Sequence, residues 1–189
     1  MDFWISIREY LSRKFLISLI ISLIAIQGAI VFGAWLGTHA SESEAQELWN
    51  ILDEQAREVT WHDIFFHNLS LSILTLIPFI GVGFMLFVMF STGFVLGAVS
   101  VVILPGDSVT RLILVLFVTF LFPGFIIAFF EFGAYNLLLG EVLYITYLAL
   151  TRSGAKERLR KHFWKTLLIY VVMLLIGALL ETALILAQY

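Results

Sequence analysis

Apolar residues run along this chain in long unbroken blocks, and short polar stretches separate them. The first block, Phe15 to Leu36, predicts a membrane helix over about 15–36, because about 20 consecutive apolar residues span a bilayer core. A second helix is predicted over about 61–79, ending near Pro78, and a third over about 82–104. The uncharged PFIGVG between them reads as a tight turn, and LPGDS at 104–108 as another. An apolar run then fills residues 109–150. As one straight helix it would measure about 60 Å, twice the hydrocarbon thickness. Pro123-Gly124 must therefore break it. A last helix is predicted over about 164–187.

The polar stretches carry opposite charge. Residues 1–14 interleave Arg8, Arg13 and Lys14 with Phe3, Trp4, Ile5, Ile7 and Leu11, the pattern of an amphipathic segment lying in the interface. From residue 37 the chain turns acidic: Glu42, Glu44, Glu47, Asp53, Glu54, Glu58 and Asp63 stand against Arg57 alone. Ser41 precedes Glu44 by three, a capping-box spacing, and Leu48, Ile51, Leu52 and Gln55 form a weak stripe. A short external amphipathic helix over 37–60 follows, too small to hold a core. Residues 151–165 form a basic loop, with Arg152, Lys156, Arg158, Arg160, Lys161 and Lys165 against Glu157.

This segregation sets a topology. Nine of the 11 Lys and Arg lie in 1–14 and 151–165, so the positive-inside bias places both stretches in the cytoplasm and the acidic helix outside. An even number of crossings must then separate them. Residues 109–122 are accordingly expected to dip in or lie near the outer face, and 124–150 to cross once. The expected fold is all-α and polytopic, a single membrane unit over 1–189. It makes five crossings with a broken fourth element, its N-terminus cytoplasmic and its C-terminus external, in a plasma membrane. Two full spans split at Pro123 would give six crossings and break the charge rule.

Composition agrees: 61% of the 189 residues are hydrophobic, and the mean hydropathy is +1.00. A soluble domain is about half apolar. The chain has no cysteine, hence no disulfide frame or thiolate chemistry. The first apolar run exceeds the roughly 7–15 residues of a signal-peptide core, so a cleaved signal is not expected. The net charge of -3 gives no sign of nucleic-acid binding. Trp4, Trp35, Trp49, Trp61 and Trp164 mostly flank predicted membrane ends, as belt residues do.

Within the apolar run, FIIAFFEFGAYN places Glu131 where a carboxylate costs about 2.5–3.5 kcal/mol unless it is met. Counting from the outer face at 1.5 Å per residue, Glu131 lies about 12 Å deep, Glu181 about 9 Å, and His67 and Asn68 about 10 Å. Four polar side chains on three helices thus share one level. Two close carboxylates do not both ionise cheaply, so a shared proton, His67 or the Asn68 amide is expected to balance them. Such a cluster is either glue between helices or a site for a proton, a cation or a lipid headgroup. Tyr135, Asn136 and Glu141 extend polarity down the same helix. The face Glu131–Ala134–Tyr135–Leu138–Glu141 is expected to turn inward, with Glu141 belonging either to it or to the basic loop. Gly93 and Gly97 have the spacing that lets helix backbones approach, within the chain or between copies. His39 and His62 read as interfacial. His62, Asp63 and His67 have one-turn spacing for a metal but no third His in register and no Cys, so no cofactor or metal is expected. No phosphate loop, serine elbow, zinc-protease or dinucleotide motif occurs, and no inverted repeat is evident.

HNLSLSILTLIPFIGVG, TGFVLGAVS, FEFGAYNLLLGE and a last helix ending IGALLETALI occur in this order. From about residue 10 onward the chain resembles the stage II sporulation protein M family. That family carries a Glu followed by a small residue in its fourth element and a Glu near the outer end of its last helix; Glu131 and Glu181 fit those places. Its Pro-His before the first Glu is replaced here by Ile126-Ile127, so no role of that His carries over. The resemblance implies a five-helix membrane protein. In sporulating bacteria such proteins anchor and recruit cell-wall-degrading enzymes during engulfment; similar proteins occur in bacteria and archaea that never sporulate.

Two functions follow as expectations. One is a non-enzymatic membrane scaffold of the cell envelope, with the bilayer and envelope proteins as partners. The other is a transporter or channel-like protein using Glu131 and Glu181 for a proton, a cation or a lipid headgroup.

Overall fold

A computed structural model describes residues 10–120 and 124–187, with the side chains of 120 and 124 outside that description. Most of the expected N-terminal amphipathic segment and Pro123 itself lie outside the described residues. The helices are α1 (Arg13–Gly37), α2 (Glu42–Glu58), α3 (Trp61–Thr75), α4 (Ile80–Ile103), α5 (Ser108–Phe120) and α6 (Gly124–Leu150). The single turn α7 (Ala155–Arg158) continues through a wide π-helical turn (Leu159–Phe163) into α8 (Trp164–Leu186). No strand occurs among the described residues. Four helical stretches there are long and apolar enough to cross a bilayer: 13–37, 80–103, 125–150 and 155–186.

Backbone contacts fix the direction of each pass. Ile30 meets Gly93, and Ala34 meets Gly97. Residue numbers rise together, so α1 and α4 run parallel. The chain must return between them, and α3 makes that return. At 15 residues it measures about 22 Å. It stops at Thr75 rather than 79 because Pro78 has no amide to donate and disfavours helical backbone just before it. Phe79 closes the turn with a positive φ of 66°. Helix α6 opposes α1: Ser12 donates to the Tyr144 hydroxyl at 3.2 Å and Ser22 bonds the Asn136 side chain. Helix α8 opposes α6, with Thr166 beside Glu141 and Gly177 beside Glu131. Five passes therefore join two ends of the bundle. One end holds Arg13, Lys14 and the basic segment 152–165; the other holds acidic α2.

Helix α5 does not make a pass. It begins where Ser108 donates to the Thr38 carbonyl at 3.2 Å, at the acidic end. Helix α6 begins at that same end, since Asn136, twelve residues into it, lies level with Ser22. The expectation for 109–122 holds in this respect for the described residues 109–120: they do not cross to the basic end. The expected basic loop is largely helical instead, which turns Arg158 inward.

Capping explains the polar helix. Glu44 and Ser41 cap each other reciprocally at the start of α2. The Ser41 hydroxyl and amide hold the Glu44 carboxyl below its ordinary range. The cap is complete at neutral pH and is lost only as the pH falls through that lowered value. Thr60 and Asp63 repeat the arrangement at α3.

The tightest seam is α1 against α4. A Cβ on Gly33, Gly37, Gly93 or Gly97 would collide with backbone atoms of the facing helix. Each helix thus presents a pair of glycines four residues apart to the other, and the backbones touch. Around this seam Ile26, Ile30, Met85, Met89, Leu138 and Leu174 form the core. Gly97→Leu is expected to lower stability by about 1–3 kcal/mol through overpacking. Gly28→Ala, where a Cβ meets nothing within 4 Å, is expected to be neutral or slightly stabilising. Thermal melting in mild detergent checks both.

Candidate functional site

Helix α6 turns the expected face inward. Ala134 and Leu138 are fully buried, and Tyr135 is 4% exposed. At the acidic end this face meets α3 and α8. Asn68 Nδ2 donates to Glu131 Oε1 at 3.2 Å, and the Glu131 and Glu181 carboxyls lie within hydrogen-bonding reach of each other. Gly177 makes this possible: a Cβ there would stand 2.7 Å from Glu131 Cγ. Its place one turn before Glu181 in IGALLE was the signal for it, and sequence reasoning passed over it.

These groups line a cavity of about 810 Å³ bounded by α2, α3, α4, α6 and α8. Its rim carries Glu58, Asp63 and His67, all exposed on the bundle surface toward the acidic end, where it opens. Leu71, Val88, Met89, Phe132 and Ile185 form apolar walls. Buried side chains close the way beyond: Met85, Leu138 and Leu174, with Tyr170 bonded to Ser72. His67, Asn68, Glu131 and Glu181 all line this one space, as does Tyr135. The Tyr135 hydroxyl has no hydrogen-bond partner among the described residues.

The remaining polar residues of α6 go elsewhere. Asn136 turns to Ser22 on α1. Glu141, fully buried at the basic end, accepts from Arg158 Nε at 2.7 Å and Nη2 at 2.5 Å, and from Thr166 Oγ1 at 2.9 Å. Arg158 also donates to the Tyr10 carbonyl at 2.9 Å and packs within 4.3–5.1 Å of the rings of Phe15, Tyr10 and Tyr144. Thr166 follows Arg158 by eight residues, which a regular helix would set about 80° apart. The π-helical turn between them widens the helix and brings both to Glu141. Glu141 thus belongs to the buried face and to the basic segment at once, a pairing the sequence left open.

The histidines form no centre. His39 bonds the Trp35 carbonyl and His62 stacks on Trp61. Among the described residues no three His, Asp or Glu side chains are grouped to hold a metal.

Arg158→Leu is expected to cost about 3–5 kcal/mol, because it leaves a carboxylate buried and unpaired. Replacing both partners, Glu141→Met with Arg158→Leu, is expected to recover most of that loss. Chemical denaturation of the three proteins in detergent checks this.

No curated protein and no solved structure matches the chain. The family model for stage II sporulation protein M matches residues 18–184, nearly the whole length and all five passes. This is a membrane-spanning protein, and it belongs to the stage II sporulation protein M family.

Proposed function

We propose that this protein binds a cation-bearing ligand in the cavity above Glu131 and Glu181, as the binding step of a carrier. One observation carries the reading. The space reaches two adjoining intramembrane carboxylates from one end of the bundle and is closed toward the other. A channel needs a continuous path, whereas a carrier presents a one-sided cavity in each of its states. Intramembrane acids facing such a cavity mark ion and substrate paths. Two carboxylates within hydrogen-bonding reach repel each other when charged, and a cation between them removes that repulsion. With the positive-inside bias, the basic end faces the cytoplasm and the cavity opens outward.

A scaffold role has its own support. Glu42, Glu44, Glu47, Glu54 and Glu58 lie exposed on α2 and offer a basic partner a predominantly acidic surface. Charge reversal at Glu42, Glu47 and Glu54 would remove that partner in co-purification and leave cation binding intact.

The carrier reading predicts that the melting midpoint of the purified protein rises with at least one monovalent inorganic or organic cation at constant ionic strength. The rise is lost in Glu131→Gln and Glu181→Gln. An unresponsive wild type, or a response that survives in the double variant, contradicts it.

A further inference from the structure

We infer that the ligand's charged group is a primary ammonium on an apolar body, held between Glu131 and Glu181 with the Tyr135 hydroxyl as third contact. The inference rests on the cation reading above and narrows it to a chemical class.

The first argument is a shortage of donors. Beyond the contact between the two carboxyls themselves, the four oxygens of Glu131 and Glu181 receive one protein donor among the described residues, Asn68 Nδ2. Glu141, on the same helix, receives three. Both acids are half-buried and line the open cavity, so their remaining lone pairs are free to accept from a donor that enters it.

Tyr135 is the second. It is 4% exposed, lines the cavity, and leaves its hydroxyl unpartnered among the described residues. It follows Glu131 by one turn, so both side chains project from the same face of α6. Two carboxyls and a phenol are three acceptor groups, one for each of the three N–H donors of a primary ammonium. A quaternary ammonium has none.

The walls are the third. A bare metal ion would leave Leu71, Val88, Met89, Phe132 and Ile185 uncovered, and Ca²⁺ takes 6–8 oxygen ligands. The cavity's 810 Å³ lies within the roughly 300–1,000 Å³ that organic ligands occupy. An alkyl or aryl body would lie against these walls, with the ring of Phe132 near the charge. Glu58 and Asp63 at the rim repel anions, and among the described residues no Lys or Arg lines the space. This favours a free amine over an ethanolamine phospholipid, whose phosphate would enter beside them.

The test uses the full chain in phosphatidylcholine nanodiscs and four probes: hexylammonium, trimethylhexylammonium, hexanol and sodium chloride. Calorimetry is expected to show hexylammonium binding about tenfold or more tighter than its trimethyl analogue, and no binding of hexanol. Tyr135→Phe is expected to weaken hexylammonium about three- to tenfold and leave the trimethyl analogue unchanged. Glu131→Gln with Glu181→Gln is expected to abolish both. Discs containing phosphatidylethanolamine identify the source: competition with hexylammonium assigns the ammonium to the lipid headgroup, and its absence to a free amine. Equal affinity for the two hexyl ions, a comparison needing no variant, overturns the inference. So does carboxylate-dependent binding of sodium alone, which leaves the cation reading standing. Silence toward every cation overturns both.

Discussion

A carboxylate carried into the hydrocarbon layer must meet a counter-charge, a donor or water, because the bilayer supplies none of them. Helix α6 carries two, ten residues apart, and the bundle meets them differently. Glu141 is sealed by a bidentate guanidinium and a hydroxyl, with three aromatic rings around the arginine. Such a pair ties Tyr10, α6 and the α7–α8 segment together at the basic end, and removing one partner is costly. Glu131 receives an amide and the neighbourhood of a second acid, with open space above it. One carboxylate is a completed structural contact; the other lines an open cavity.

The architecture explains how that space exists. Glycines on both sides of the α1–α4 seam bring two backbones into contact, and this parallel pair is the tightest part of the bundle. Being parallel, it requires a return pass, and the helix that makes it is short. Val88, Met89 and Thr92 of α4 line the cavity together with residues of α3, α6 and α8. The amphipathic α2 lies over the acidic end of the bundle, and its residues Leu52, Gln55 and Ala56 form part of the cavity wall. Tight packing on one side of α4 and a lined opening on the other are two results of one helix arrangement.

Much of this was legible in the residues. Apolar block lengths gave the long spans, Ser41 and Glu44 the start of α2, and counting depth along each helix put Glu131, Glu181, His67 and Asn68 at one level. What periodicity could not supply was the partner of each polar group. Glu141 with Arg158 depends on a wide helical turn that has no signature in LRKHF. The glycines facing Gly93 and Gly97, Gly33 and Gly37, share their four-residue spacing, but which helices meet is decided by the packing of the whole bundle. Asn136 and Tyr135 are adjacent in sequence, and only the rotation of α6 sends one to Ser22 and the other into the cavity. The early end of α3 came from Pro78 acting further upstream than expected.

The absence of cysteine from the chain makes the decisive measurement clean: labelling of single introduced thiols by a membrane-impermeant maleimide in sealed vesicles of known orientation. Thr92→Cys, on the cavity wall, is predicted to react from the side that carries α2 and from that side alone. Met85→Cys, in the closed core beyond, is predicted to stay unlabelled from both. A Thr92→Cys protein that reacts from neither side, or from the basic side, would contradict a one-sided cavity leading to Glu131 and Glu181.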